Sequence, residues 1–475
     1  MHRLLLIILL FGIVLFQFPR GQGSIHSDTS KQAAFYMQVA VEFSDVIENE
    51  SYNILELTQV LPFALLNLIY KFLGLRLQTS ALTSGMLILN FLFLVLGVHW
   101  FFRIIRHFDF GTTLEVLLFV LTFFNFFVLK TVWNQPFTND LAAFAWSLGL
   151  MHFFISDQKQ KLLLLTLTGT FISPILPLIG LCLMVFPEER LVLKEGPKRP
   201  GFLFASLSIL FFVFLIWMIW LTERFSSDLS GIMGMLMSIG VLLLGFYQLA
   251  KRWPIDWTKS LVSKRINRPL KSMAIFFLGI GGTLILLLLL SGDNSQVSLK
   301  GLAQGYGKGV LSFPFDFLIH HTLFYGLLVP LTLIFARKVL RAAALTGFGT
   351  TVLMGFMLFF AIYPDPKMLV PFLGPLVFVL MRAVSSYKVK WKDIWKISLL
   401  NLILTLFGWL LQPFVHGDSL SGQPVTQFLS RYDLLFFSAY QDVLMMALLL
   451  SVFILLLFLL DKGKKRYIRS TGQGM

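Results

Sequence analysis

A run of about 20 apolar residues followed by a short polar loop recurs from one end of this chain to the other. Each run is long enough to cross a hydrocarbon layer about 30 Å thick, where no backbone amide can stay unpaired. The runs are too long for barrel strands, so they must be helices. The sequence therefore predicts an all-α, polytopic integral membrane protein of about 13 to 14 segments, in one membrane domain over residues 1–475. Composition agrees: 57% of the 475 residues are hydrophobic, 13% are charged and 51 are Phe.

The net charge of +15 needs no nucleic-acid partner. Lys and Arg fall into alternate loops, at roughly three to one in favour of one side, which is the bias that orients helices in a bilayer. It predicts both termini in the cytoplasm, with residues 251–272 and the tail 461–475 as basic cytoplasmic anchors and the membrane the plasma or inner membrane if the source is bacterial. The single cysteine, Cys182, excludes an intrachain disulfide and a thiolate metal site.

In chain order, Leu4 to Phe18 reads as an uncleaved first span, because Phe-Pro-Arg-Gly-Gln-Gly, which follows, holds no Ala-x-Ala cleavage site. Residues 19–80 form an outer loop. Within it Tyr36, Val39, Phe43, Val46 and Ile47 fall on one face of a helix and Gln38, Glu42, Asp45 and Asn49 on the other. That describes a helix on the membrane surface, and Ile54 to Leu75 reads as a second interfacial helix or a shallow insertion. Spans follow at Ala81–Phe102, Thr112–Leu129 and Leu141–Ile155. Lys161–Phe186 is too long for one crossing and is broken at Ser173-Pro174, so it reads as two half-length helices. Further spans are Phe202–Leu221, Ile232–Leu249, Met273–Leu290, Phe315–Phe335, Ala343–Tyr363, Met368–Met381, Ile397–Phe414 and Asp442–Leu460.

Chemistry is expected where polar groups gather at the bilayer edge. No phosphate-binding Gly-rich loop, His-Glu-x-x-His or Gly-x-Ser-x-Gly occurs, which argues against an ATP-driven pump or a metalloprotease. Asp28 stands a few residues outside the first span, as a solvated loop carboxylate or as a general base held at the surface. Asn134 to Asp140 opens a span. Thr138 or Asn139 would cap that helix and Asp140 would complement its dipole. Tyr363-Pro364-Asp365-Pro366-Lys367 is a tight outer turn. Its lysine either neutralises Asp365 or holds a lipid phosphate at headgroup level. His320 and His321 point in different directions from one helix and suit no shared metal. His416, Asp418 and Arg431 complete the outer polar set, and Asn49-Glu50-Ser51 fits a glycosylation acceptor.

Together these features resemble the GT-C superfamily of polytopic glycosyltransferases, which includes protein O-mannosyltransferases and the lipid A aminoarabinose transferase. The likeness runs along most of the chain as pattern. It comprises the short first span, Asp28 followed by Phe35-Tyr36-Met37-Gln38-Val39-Ala40, the interfacial segment from Leu61-Pro62 to Gly74, Thr138-Asn139-Asp140 opening a span, the break at Ser173-Pro174 and the element Lys367 to Pro375. The resemblance implies that Asp28 is the catalytic or divalent-cation-associated carboxylate, that Asp140 assists it and that Lys367 contacts the phosphate of a polyprenyl-linked sugar donor. Tyr36, Asn139 and His416 are further candidates for substrate contact. The chain departs from the family in its single first-loop acid, in Lys367 where arginine is common, and in Ser173-Pro174 where a basic residue is frequent. Two other functions fit the same pattern: a transporter or flippase of lipids or lipid-linked saccharides, and a non-catalytic membrane scaffold.

Overall fold

The computed structural model describes residues 2–21, 31–49, 52–75, 79–108, 110–134, 137–186, 190–193, 238–247, 253–256, 267–290, 316–385 and 391–410, with a few isolated positions between them. Every element among them is helical, apart from one isolated antiparallel bridge between Leu193 and Ile255. Among the described residues three helices are long and apolar enough to cross a membrane, Ala81–Arg106, Lys271–Leu290 and Pro366–Val384, and a fourth crossing results if one bent pair counts as a span. The expected spans Phe202–Leu221 and Asp442–Leu460 lie outside the described residues.

The centre of the bundle is α8 (Asp140–Ile155), which is apolar all round and buried on nearly every face, as a helix surrounded by others must be. Its longest neighbour is α5 (Thr79–Arg106), and the two approach closely through small residues. Trp100 and Trp146 cross edge to face at 6.1 Å beside that seam. On the other side α16 (Leu373–Val384) presses its first turn onto the α8 backbone. The Gly374 amide donates to Ser147 Oγ at 3.1 Å, and a Cβ at Gly374 would lie 2.4 Å from the Ser147 carbonyl. Only glycine admits that approach.

The first helix, α1 (His2–Gly21), buries Leu6, Leu10 and Val14 against the bundle. Arg3 forms a two-pronged ion pair with Glu115, Nε to Oε1 at 2.6 Å and Nη2 to Oε2 at 2.9 Å, and His2 Nε2 reaches the same carboxylate at 3.2 Å. Glu115 opens α6 (Thr112–Phe123), so the starts of α1 and α6 share one end of the molecule. The ends of α5 and α8 meet there too, where Ser156 Oγ lies 3.3 Å from His107 Nε2.

Residues 19–80 hold α2 (Lys31–Glu48), α3 (Ile54–Leu57) and α4 (Leu61–Phe72). The amphipathic reading of α2 holds: Tyr36, Val39 and Val46 are buried, whereas Gln38, Glu42 and Asp45 are exposed. Its apolar face covers α4. The helix kinks at Glu42 (φ −131°, ψ 49°), which frees carbonyls, and Asn67 of α4 donates to Ala40 O and Val41 O, each at 2.9 Å. That pairing replaces what the kink removed. The break at Ser173-Pro174 is also present, separating α9 (Lys159–Gly169) from α10 (Leu176–Val185). The Leu61 amide donates to Phe171 O at 2.9 Å, tying α4 to this turn.

Three expected spans are not single helices. Thr112–Leu129 bends by 54° at Phe124-Asn125, between α6 and α7 (Phe126–Asn134). Asn125 Oδ1 accepts the Val128 amide at 3.0 Å and so starts α7, which stops the first helix from running through. Phe315–Phe335 divides at Gly326 into α12 (Asp316–Tyr325) and α13 (Leu328–Ile334), following α11 (Asn267–Leu290). Ala343–Tyr363 divides at Gly347, between α14 (Ala336–Thr346) and α15 (Phe348–Ala361), so the basic segment Arg337, Lys338 and Arg341 is helix and not loop. The first two breaks are stitched together by one side chain. Asn401 of α17 (Trp391–Leu410) donates to Phe124 O at 2.6 Å and accepts the Leu327 amide at 2.8 Å.

Candidate functional site

Opposite the Arg3 end, four segments distant in sequence converge on the first turn of α8. From α2 comes Tyr36, 2% exposed, whose hydroxyl donates to Gln59 Oε1 at 2.7 Å. Its ring stacks on Phe63 at 4.4 Å, and Phe63 stacks on Phe137 at 6.3 Å. The backbone carbonyl of Gln59 accepts from Asn139 Nδ2 at 2.6 Å. Gln59, in the short link between α3 and α4, thus joins Tyr36 to the residue that precedes α8. This corrects the expected Asn139 cap: its Nδ2 donates to Gln59 O, and its Oδ1, the atom a cap would use, bonds none of the α8 amides.

Asp140 follows, its side chain 15% exposed, and its Oδ2 lies 3.9 Å from Lys367 Nζ. Lys367 sits in the 3₁₀ helix Pro366–Phe372 that leads into α16. The docking of Gly374 on Ser147 therefore fixes how far Lys367 stands from Asp140. Asp365 caps this 3₁₀ helix, accepting the Lys367 amide at 2.9 Å. Its carboxyl is pushed above the usual range chiefly by burial, with Asp140 adding to the shift and Lys367 opposing it. Two carboxylates thus flank one ammonium.

The turn 363–367 is held from behind by α12. Tyr325 donates its hydroxyl to Pro366 O, His320 Nδ1 bonds Pro364 O at 3.2 Å, and His321 Nε2 bonds Ala361 O at 2.9 Å. Carbonyl partners require those ring nitrogens to carry protons. Both histidines therefore act as donors that shape the turn, each on its own carbonyl. Among the described residues no three His, Cys, Asp or Glu side chains gather as a metal site.

Of the expected site residues, Tyr36, Asn139, Asp140 and Lys367 come together at this end. Asp28 and His416 lie outside the described residues. Sequence reasoning missed Gln59, Tyr325, Lys130 and the role of Asp365 as a cap. Lys130 is 2% exposed on α7, its Nζ 5.1 Å from the Phe126 ring centroid. A single lysine inside an apolar run was the available signal.

Compared with protein-family models, curated proteins and solved structures, this chain matches none of them.

Proposed function

We propose that this chain is a polytopic membrane glycosyltransferase of GT-C type, moving a sugar from a polyprenyl-phosphate donor to an acceptor at the outer face of the membrane, with both termini cytoplasmic. The observation that carries the reading is the approach of Asp140 to Lys367 at 3.9 Å, across 227 positions of sequence, beside the buried pair Tyr36 and Asn139. The alternation of basic loops supports the orientation. So does the sorting of helix ends, with Arg3, Glu115, His107 and Ser156 at one end and Gln59, Asn139, Asp140 and Lys367 at the other.

In this reading Lys367 rests against Asp140 until donor arrives. The donor phosphate, an anion at headgroup level, takes the ammonium and releases the carboxylate. The acceptor hydroxyl gives its proton to Asp28, its oxygen bonds the anomeric carbon, and the carbon–oxygen bond to phosphate breaks with inversion. The polyprenyl phosphate leaves with its charge held by Lys367, while Asp140 orients the acceptor. Asp365 and Tyr325 keep the 3₁₀ turn rigid so that the ammonium does not swing away.

Purified protein incubated with radiolabelled polyprenyl-phosphate sugar and acceptor tests the reading. Transfer should fall at least about 100-fold in Asp28→Ala, whereas Lys367→Ala should raise the donor KM. Undiminished transfer by Asp28→Ala removes the assigned base. Function that persists in the triple variant of Asp28, Asp140 and Lys367 favours transport or assembly.

A further inference from the structure

At the Arg3 end, away from Asp140, a cavity of about 730 Å³ lies where α8 ends, α9 begins, α10 ends and α11 begins. Its walls are apolar, with Phe154, Leu163, Leu183 and Phe186 among them, and its rim carries Lys159, Lys271 and Asp157. Lys159 Nζ lies 3.6 Å from Asp157 Oδ1, both side chains more than 70% exposed, so the pair is weak and easily redirected. Lys271 has no carboxylate partner among the described residues.

The surroundings say what kind of molecule fits. The α11 surface just beyond Lys271 exposes Met273, Ile275, Phe277 and Leu278, and α9 exposes Leu163, Leu164 and Leu167. The cavity therefore adjoins two apolar faces, and its described lining carries two lysines and one carboxylate. A small soluble anion would satisfy the lysines and leave the phenylalanine and leucine walls uncovered. A neutral lipid would cover the walls and ignore the lysines. Basic pockets between helices at the cytoplasmic edge of a bilayer suit anionic headgroups.

We propose that this cavity holds the headgroup of an anionic, phosphate-bearing membrane lipid, whose acyl chains run along the exposed faces of α9 and α11. The inference rests on the membrane placement argued above and is independent of the transferase reading.

The test uses full-length protein purified in detergent and exchanged into mixed micelles containing phosphatidylglycerol or phosphatidylcholine, with lipid retention read by native mass spectrometry. Phosphatidylglycerol should be retained in preference to phosphatidylcholine, and inorganic phosphate should not compete. Lys271→Ala should lower that retention about fivefold, Lys159→Ala/Lys271→Ala should lower it further, and Lys271→Arg should restore it. Leu163→Trp, a half-exposed position at the wall, should lower retention of both lipids without touching a charge. Equal retention of the two lipids, or unchanged retention in the double lysine variant, overturns the site. A protein that stays monodisperse without detergent overturns the membrane placement itself, whatever the transfer assay shows.

Discussion

Replacing Asn401 with alanine tests how the bundle tolerates its broken helices. Asn401 is fully buried, donates to Phe124 O at 2.6 Å and accepts from the Leu327 amide at 2.8 Å. Both partners are backbone groups orphaned by helix breaks, at Phe124-Asn125 and at Gly326, and both residues are buried in an apolar interior. Each orphan costs about 1 to 3 kcal/mol, so the loss expected from Asn401→Ala is about 2 to 6 kcal/mol. Ordinary side-chain hydrogen bonds between membrane helices average only about 0.6 kcal/mol. The two views therefore separate cleanly. Thr405→Val is the control, because Thr405 Oγ1 reaches Phe124 O only at 3.4 Å and its other bond is to Asn401 O. It should change stability by less than about 1 kcal/mol. Gly326 supplies a coupled test. Its φ is +61°, and a Cβ there would stand 2.3 Å from Asn401 Oδ1, so Gly326→Ala must both strain the turn and displace the acceptor. The two variants should be non-additive, Gly326→Ala costing less once Asn401 is gone. Reversible unfolding in mixed micelles, followed by circular dichroism, measures all four. A loss below about 1 kcal/mol for Asn401→Ala, or strict additivity with Gly326→Ala, refutes the stitching argument.

Arg3→Ala leaves Glu115, whose side chain is 2% exposed, without its guanidinium, and should destabilise by about 3 kcal/mol, less than a fully buried pair because Arg3 is 36% exposed; Arg3→Ala/Glu115→Gln should recover most of the loss in the same unfolding assay. Asp365 carries a carboxyl whose pKa is raised on folding, so the folded chain holds that proton more tightly and stability should rise as pH falls towards about 4, the ordinary carboxyl range. Asp365→Asn keeps the cap without the charge. It should be more stable than the parent at neutral pH and equal to it near pH 4, as read from thermal midpoints across that range. Gly374→Leu should push α16 off Ser147 and move Lys367 away from Asp140. Its loss of donor affinity should match that of Lys367→Ala in the transfer assay, and unchanged affinity would separate the two contacts.

How much of the site was legible beforehand can be judged residue by residue. Asp140 and Lys367 were visible as charges at the ends of apolar runs, where an ionised group costs least, and Tyr36 and Asn139 as polar or aromatic neighbours of those ends. Gln59 carried no signal: a lone glutamine near a proline is common in loops, and its role comes from having one neighbour on each of its two acceptor oxygens. The Thr112–Leu129 break was hidden because Asn125 contributes one polar atom set to an otherwise apolar stretch, and hydropathy averages over it.

The sequence by itself determined what could be decided within a turn or two of helix. That includes the apolar runs and their helical state, the amphipathic face of α2, the interruption at Ser173-Pro174 and the gathering of Lys and Arg into alternate loops. Hydrophobic period, proline chemistry and loop charge are local, and they act whatever the rest of the chain does. Only the tertiary structure decided which ends meet. Asp140 faces Lys367 because Gly374 lets α16 touch the α8 backbone, and two of the three apparent spans that divide do so where Asn401, from far along the chain, pairs with the backbone groups that bending frees. Such pairings depend on contacts between residues hundreds of positions apart, whose cost and gain no local pattern records.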